Sequence, residues 1–263
     1  MCRELETERA QMSFEDEAPS VRERLALALD VSSLDEALEL AGRLRPWFSV
    51  VKVGLELFCA EGPLAIDALL DEGFRVFLDL KLHDIPTTVR RSAQMIGSLG
   101  VSYATVHAAG GGPMLRAAVE GFEEGWARAV GNGQPEPPQG SAGIIAVTVL
   151  TSEPEADPAL VGTRTSLSVL AGCLGVVCAA TDLPAVRGRG PELLTVVPGI
   201  RLAGASLDDQ ARAATPLAAI RSGADLLVFG RTVTAAESPE LAACQLTTEV
   251  MAALHPGQVP DQP

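Results

Sequence analysis

Eight short hydrophobic runs recur along this 263-residue sequence, and they restrict its possible folds more than any other feature. Their apolar residues are mostly consecutive rather than alternating with polar ones, which is typical of parallel strands buried on both faces. The pattern therefore predicts eight such strands. The runs are LALALD (25–30), SVVKVG (49–54), RVFLDLK (75–81), YATVHA (103–108), GIIAVTVL (143–150), LGVVCAA (174–180), LTVVPGI (194–200) and DLLVFG (225–230).

Segments rich in Ala and Leu, with helical periodicity, separate most of the runs. In SLDEALELAGRL, Ser33 is placed to cap a helix, and apolar residues follow at Leu34, Ala37, Leu38 and Ala41. Alternating strands and helices form βα units, and eight of them suit a single-domain α/β protein of the (β/α)8 TIM barrel type.

A doubly wound open sheet is the rival architecture, and periodicity alone does not separate the two. The first strand is not followed by a G-x-G-x-x-G motif, which weakens the dinucleotide-binding version of the open sheet. Polar residues also follow many different strands, as in barrels, whereas an open sheet uses mainly one crevice. These residues are Asp30, Lys52, Asp79, Lys81, His107, Thr151, Arg201 and Arg231.

No internal domain boundary is evident. We expect residues 1–20 to form an N-terminal tail, 21–254 the barrel and 255–263 a C-terminal tail, with a Pro/Gly-rich loop at 131–143.

Charge and composition exclude several classes of protein. With 34 acidic and 20 basic residues the net charge is −14, which argues against a nucleic-acid partner. The longest uncharged apolar stretches fall short of the ~20 residues of a membrane span, and the charged N-terminus lacks the apolar region of a signal peptide. Five cysteines without C-x-x-C spacing suggest neither a disulfide framework nor a zinc site, and Cys173 and Cys178 are expected in the core. The sequence therefore predicts a cytoplasmic enzyme with neither a membrane nor a nucleic acid as partner.

Charged residues concentrate around the third strand. Asp79 and Lys81 are two residues apart and should point to the same side of that strand, Asp84 follows just beyond it, and Lys52 lies on the neighbouring strand. We expect these four charges to converge at the barrel mouth. A structural ion-pair network would explain them, but buried ion pairs stabilise less than apolar packing does, which favours a functional role.

Several strings in order resemble the bacterial orotidine 5′-phosphate decarboxylase family. They are LALD, VKVG, DLKLHDIP-x-TV, VTVLTS, PGIR, DDQ-x-R-x-ATP and FGR, which together extend from about residue 25 to 235. The D-x-K-x-x-D element alone is shared with other sugar-phosphate barrels, whereas the ordered set is specific. The resemblance implies decarboxylation of orotidine 5′-monophosphate without a cofactor or a metal.

The resemblance also implies roles for particular residues. Lys81 would protonate pyrimidine C6, Asp79 would lie beside the substrate carboxylate, and Lys52 would bridge the carboxylates and a ribose hydroxyl. Asp84 and Thr88 would complete the active site of the partner in a homodimer. The remaining substrate contacts would be Asp30 with the ribose, Thr151 and Ser152 with the pyrimidine, and Arg201, Gln210, Gly230 and Arg231 with the phosphate side.

Physical chemistry agrees with these roles. Loss of CO2 leaves an electron pair at C6 with no electron sink, so preorganised cations must stabilise it. The planar fork of Arg231 after the eighth strand suits a phosphate dianion. Taken singly, Arg231 could be a surface arginine, although a functional role is favoured, and Gln210 could equally be a solvated residue. His107 is better explained as a core histidine than as a catalytic one.

Two rival functions remain open at this level. A magnesium-dependent sugar-phosphate enzyme of the same superfamily would keep D-x-K-x-x-D, but it would need an acidic residue where this chain has Lys52. The second rival function is that of a catalytically inactive barrel that binds a phosphorylated ligand. The presence of Lys81, Asp79 and Asp84 argues against this alternative.

Overall fold

Each of the eight hydrophobic runs forms one strand of a closed parallel barrel, and the third strand extends one residue beyond its run, to Leu82. The structure, a computed structural model, describes residues 21–133, 142–201 and 212–254. Every strand pairs in parallel with the next along the chain, and the last pairs with the first, which confirms the TIM barrel and excludes the open sheet. The strands are β1 (Leu25–Leu29), β2 (Val50–Val53), β3 (Arg75–Leu82), β4 (Tyr103–His107), β5 (Gly143–Val147), β6 (Gly175–Val177), β7 (Leu194–Val197) and β8 (Leu226–Phe229).

Helices connect the strands and cover the outside of the barrel. The first begins as predicted, because the Ser33 hydroxyl accepts a hydrogen bond from the Glu36 amide at 3.3 Å. The α-helices are α1 (Leu34–Leu44), α2 (Leu55–Glu61), α3 (Pro63–Asp71), α4 (Pro86–Ser98), α5 (Gly111–Gly131), α6 (Pro158–Ala171), α7 (Leu183–Arg187), α8 (Pro216–Arg221), α9 (Arg231–Thr234) and α10 (Pro239–Leu254). Short 3-10 turns follow β4 and β6, at Ala108–Gly110 and Ala180–Asp182.

Two apolar layers hold the barrel together. The larger layer lies between strands and helices and includes Leu25, Leu27 and Leu29 of β1, which are fully buried. The smaller layer fills the barrel interior and includes Ala26 and Ala28, the other residues of the same strand. A strand buried on both faces explains why the runs show no polar alternation.

Helices α4 and α5 pack unusually closely, which fixes the chain just after β3. Gly121 and Gly125 of α5 face the α4 backbone, and a Cβ at either position would collide with the carbonyl of Arg90 or of Gln94. The Glu124 carboxylate accepts hydrogen bonds from the side chains of Arg90 and Gln94. This contact fixes the position of α4, which begins at Pro86, shortly after β3 ends.

Several predictions fall on residues outside the described part of the chain. These are the tails 1–20 and 255–263, the segment 134–141 of the Pro/Gly-rich loop, and Gln210. Cys173 and Cys178 lie in the core as predicted, and burial raises the pKa of each thiol to about 12. No helix among the described residues is both long enough and apolar enough to cross a membrane.

Candidate active site

A cavity of about 460 Å³ opens at the carboxyl ends of the strands. Its floor is the upper part of the interior apolar layer, including Phe77, Val147 and Val228. Its volume lies in the range of sites for small molecules, at the end where TIM barrels place their chemistry. Of the residues predicted for the site, those that line the cavity are Asp30, Lys52, Asp79, Lys81, Thr151, Arg201, Gly230 and Arg231.

Four charges of alternating sign form a continuous chain along one side of this cavity. The Lys52 ammonium lies 3.1 Å from Oδ1 of Asp30 and 3.6 Å from Oδ2 of Asp79. The Lys81 ammonium donates to the same Oδ2 of Asp79 at 2.8 Å. Asp79 and Lys52 are each 12% exposed, whereas Lys81 at 32% and Asp30 at 55% remain open to a ligand.

Asp79 is held in its charged form despite being buried. Burial by itself raises the pKa of this carboxyl, but the ammonium groups of Lys52 and Lys81 and the hydrogen bonds from Lys81 and Thr105 outweigh it, so the pKa lies below its usual value. The second oxygen, Oδ1, accepts a hydrogen bond from the Thr105 hydroxyl of β4 at 2.9 Å. A fixed negative charge therefore lies between two cations.

Lys81 reaches Asp79 through an irregular backbone rather than through simple strand alternation. Its φ is +53°, a left-handed conformation that is uncommon for lysine, and the register of β3 against β4 shifts between Leu78 and Leu82. The Lys81 amide donates to the Thr105 hydroxyl at 2.8 Å, which secures this conformation. The prediction that the side chains of Asp79 and Lys81 lie together is confirmed. The reason given for it, that residues two apart in a strand point to the same side, is incomplete, because the backbone at Lys81 is not that of a regular strand. Strained backbone of this kind is concentrated at functional sites.

Asp84 does not join the charge chain within one molecule. It is exposed beyond the end of β3, where its carboxylate accepts a hydrogen bond from the Ile85 amide at 2.6 Å. Asp30 takes the fourth position instead. Thr88 and Ser152 are also exposed, and none of these three residues is among the described residues that line the cavity.

One wall of the cavity, formed by the segments after β7 and β8 and adjoining β1, carries two arginines. Arg201 follows β7, is 9% exposed, and donates to the Thr232 hydroxyl at 2.9 Å. Arg231 begins α9 after β8 and is exposed at the rim, beside Gly230. Because TIM barrels commonly bind phosphate in the loops after strands 7 and 8, this wall suits an anionic group.

His107 lies at the end of β4, and it is not among the described residues that line the cavity. Its ring lies 5.5 Å from that of His83, centroid to centroid. Burial, followed by the nearby His83, Lys81 and Arg164, lowers the pKa of His107. The ring is half-buried at the end of the strand rather than in the apolar core where we expected it, because β4 leaves the core at this residue.

Sequence reasoning missed three features of the site. Thr105, the hydroxyl that joins Asp79 to Lys81, was visible only as a polar residue in the apolar run YATVHA. At Gly54, a Cβ would lie 3.2 Å from both Asp30 Oδ1 and Lys52 Nζ, so the absence of a side chain gives the charge chain its space. The third is an ion pair between Asp182 and Arg212.

No three His, Cys, Asp or Glu side chains of the described ranges are grouped so that they could hold a metal ion. What the charge chain offers chemically is a pair of ammonium groups, one of them partly exposed, fixed beside an apolar floor. Such an arrangement can stabilise a developing anion and can deliver a proton.

Comparisons with known proteins agree with this geometry. The chain is 43% identical over 232 residues to the orotidine 5′-phosphate decarboxylase of Anaeromyxobacter dehalogenans, covering 84% of this chain and 95% of that protein. It is 42% identical over 240 residues to the enzyme of the same name from Thermobifida fusca, with coverage of 86% and 95%. The crystal structure of orotidine 5′-phosphate decarboxylase from Lactobacillus acidophilus matches with a TM-score of 0.70 and 31% identity, over 87% of this chain and 99% of that chain. The profile of the orotidine 5′-phosphate decarboxylase / HUMPS family matches residues 23–246, and the chain therefore belongs to that family, as its sequence motifs predicted.

Proposed function

We propose that this protein is a carboxy-lyase that converts orotidine 5′-monophosphate to uridine 5′-monophosphate and CO2, the last step of de novo UMP biosynthesis, without a cofactor. The observation that carries the proposal is the chain of alternating charges Asp30–Lys52–Asp79–Lys81 above an apolar floor. Relatives that bear this enzyme's name cover most of the chain.

Lys81 is the proton donor in this proposal. When the bond between C6 and the carboxylate breaks, its electron pair stays on C6 and CO2 departs. The Lys81 ammonium stabilises that pair electrostatically and transfers a proton to C6, and the neutral amine then regains a proton from solvent. Its partly exposed position beside the cavity, with Asp79 holding it, supports this assignment.

Asp79 and Lys52 prepare the site. Asp79 lies next to the substrate carboxylate, where their repulsion is relieved as the carboxylate leaves as neutral CO2. Lys52 lies between Asp79 and Asp30, so it holds the carboxylates in place and reaches a ribose hydroxyl. Asp30, which is more than half exposed, binds the ribose through Oδ2, the carboxylate oxygen that does not contact Lys52.

The remaining contacts divide between the base and the phosphate. Thr151 and Ser152, in the loop after β5, contact the pyrimidine. Arg201, Gln210, Gly230 and Arg231 bind the phosphate side, and the position of the two arginines on one wall supports this. A local cationic wall is needed because the chain as a whole carries a charge of −14.

The active site is completed across a homodimer in this proposal. Asp84 and Thr88 are exposed within one chain, and Ile85 between them is 66% exposed, so this segment is open to a partner. A two-fold dimer would bury this segment and bring Asp84 and Thr88 to the partner's site. The close packing of α4 on α5 holds the segment ready for that contact.

We place the reaction in the cytoplasm, with the small nucleotide and a second copy of the chain as the partners and with no nucleic acid or membrane. The four cysteines within the described residues are free thiols, which suits a reducing compartment.

A direct ultraviolet assay of orotidine 5′-monophosphate loss, with and without EDTA, tests the proposal. We expect turnover that neither EDTA nor added Mg²⁺ changes, because side chains supply the charges. Loss of activity on chelation, restored by a divalent ion, would favour the magnesium-dependent sugar-phosphate enzymes. Tight nucleotide binding without turnover would favour the inactive binding barrel.

A further inference from the structure

An ion pair on the rim of the barrel joins three loops at one guanidinium. Nη1 of Arg212 donates to both carboxylate oxygens of Asp182 at 2.6 Å. Nε donates to the Glu153 carbonyl at 3.0 Å, and Nη2 donates to the Leu150 carbonyl at 3.1 Å. Both charged side chains are only 7% exposed.

The three loops belong to consecutive strands. Leu150 and Glu153 lie in the loop after β5, and Asp182 ends the 3-10 turn after β6. Arg212 lies between β7 and α8, two residues before Ala214, which forms a bridge with Ile200. Arg212 therefore couples the loop that carries Arg201 to the loop that carries Thr151.

The hydrogen bonds from Arg212 to the loop after β5 hold residues that line the cavity. Leu150 and Thr151 lie in the cavity wall, and the Leu150 carbonyl that accepts from Arg212 also accepts from the Glu153 amide at 3.1 Å. Arg212 thus closes the turn 150–153 from outside the cavity. Arg212 is not among the described residues that line the cavity, so it acts on a ligand through this turn rather than by direct contact.

Stability alone gives a weak reason for such a pair. Desolvating two charges offsets most of their attraction, and apolar residues of similar volume commonly stabilise as well. Four directed hydrogen bonds from one planar group are instead suited to setting a fixed geometry, which an ammonium does not reproduce.

We propose that Arg212, anchored by Asp182, is a positioning residue that holds the β5 loop in the conformation that binds the base end of the nucleotide. The proposal rests on the proposed function for its substrate. Because the turn would contact the base in both the ground state and the transition state, its loss weakens both equally and raises KM more than it lowers kcat.

A second arginine network, at the opposite end of the barrel, provides a control, although its ion pair is more exposed, with Arg187 27% and Asp225 35% exposed. Arg187 donates to the Asp225 carboxylate at 2.6 Å and to the carbonyls of Gly223 and Leu193. None of these residues lines the cavity. Arg187→Lys and Arg212→Lys therefore make the same chemical change in comparable networks, but only one network touches the cavity wall.

The experiment measures steady-state kinetics and hydrogen exchange for wild type, Arg212→Lys, Asp182→Asn and Arg187→Lys. We expect Arg212→Lys to raise KM for orotidine 5′-monophosphate at least tenfold, with kcat within about threefold of wild type. Asp182→Asn should change KM and kcat in the same directions as Arg212→Lys does. Amide exchange in residues 150–157 should accelerate at least tenfold in both variants and be unchanged in β3. Arg187→Lys should leave KM and the exchange of residues 150–157 within twofold of wild type.

Two results would overturn the proposal. One is a folded Arg212→Lys protein with KM and 150–157 exchange within twofold of wild type, and the other is an equal rise of KM in Arg187→Lys, which would indicate general destabilisation. If wild type did not turn over orotidine 5′-monophosphate, the proposed function would fail. The exchange data, which need no substrate, would still decide whether Arg212 holds the loop.

Discussion

The hydroxyl of Thr105 donates a hydrogen bond to Oδ1 of Asp79 at 2.9 Å and so connects β4 to β3 beside the chain of charges. The Thr105 hydroxyl oxygen itself accepts a hydrogen bond from the Lys81 amide. One small side chain on β4 therefore fixes both the carboxylate and the left-handed backbone that carries the proposed proton donor.

Thr105→Val should test this link, because it keeps the shape of the side chain and removes the hydroxyl. We expect kcat to fall on the order of 10- to 100-fold, as misplacement of a reacting group commonly does. The unfolding free energy should fall by about 1–3 kcal/mol, because a buried carboxylate and an amide lose a partner. Thr105→Ser keeps the hydroxyl and is the control in kinetics and urea unfolding. Equal kcat for the Val and Ser variants would contradict the assignment.

The pH dependence of stability should reveal the charged state of Asp79. Because the folded state lowers the pKa of this carboxyl below 3.8, the ionised form contributes stability above the unfolded pKa, and that contribution disappears as the pH falls through the folded value. The difference in unfolding free energy between wild type and Asp79→Asn should therefore shrink as the pH falls from about 5 toward 3. Asp71→Asn, at the exposed end of α3, is the control. A difference that stayed constant or grew would refute the lowered pKa.

Lys81→Ala should remove turnover and spare binding. Its ammonium acts mainly on charge that develops in the transition state, so kcat should fall by 10² or more. Affinity for the product nucleotide, measured by calorimetry, and the melting temperature should stay close to the wild-type values. A variant that retained more than about a tenth of wild-type turnover would remove Lys81 from its proposed role.

Arg231→Ala should raise KM rather than abolish catalysis. Loss of a charge-assisted phosphate contact worth roughly 1.5–3 kcal/mol corresponds to about a 10- to 150-fold rise. Added phosphite dianion should not restore activity well, because the receptor itself is missing. Arg221→Ala, at the exposed end of α8, should leave KM unchanged. An unchanged KM in Arg231→Ala would place the phosphate elsewhere.

A mixture of two inactive proteins should recover activity if Asp84 serves the partner subunit. Lys81→Ala and Asp84→Ala homodimers should each be nearly inactive. After subunit exchange about half of the dimers are heterodimers, and each has one site with both groups intact, so about a quarter of all sites should recover.

The control for that mixture is a labelled pair that reports subunit exchange independently of activity. If both residues served their own chain, no mixture could create a complete site. Absence of recovery despite demonstrated exchange would rule out the shared arrangement.

The barrel itself could be predicted from the sequence, because its signals are local. Parallel strands buried on both faces require consecutive apolar residues, and the Ser33 cap depends on an amide only three residues away. The rule that barrel sites lie at the carboxyl ends of strands then placed Asp30, Lys52, Asp79 and Lys81 at one mouth.

Only the tertiary structure decided which of these charges meet, because closure brings together residues that are distant in the chain. Spacing selected Asp84 as the fourth charge, whereas pairing of β1 with β2 brings Asp30 to Lys52 instead. Thr105 contacts Asp79 across 26 residues, and Arg212 contacts Asp182 across 30. Hydrophobic periodicity does not predict such contacts. The left-handed conformation of Lys81 lies within the register shift between β3 and β4, which depends on a strand pairing that the local sequence does not reveal.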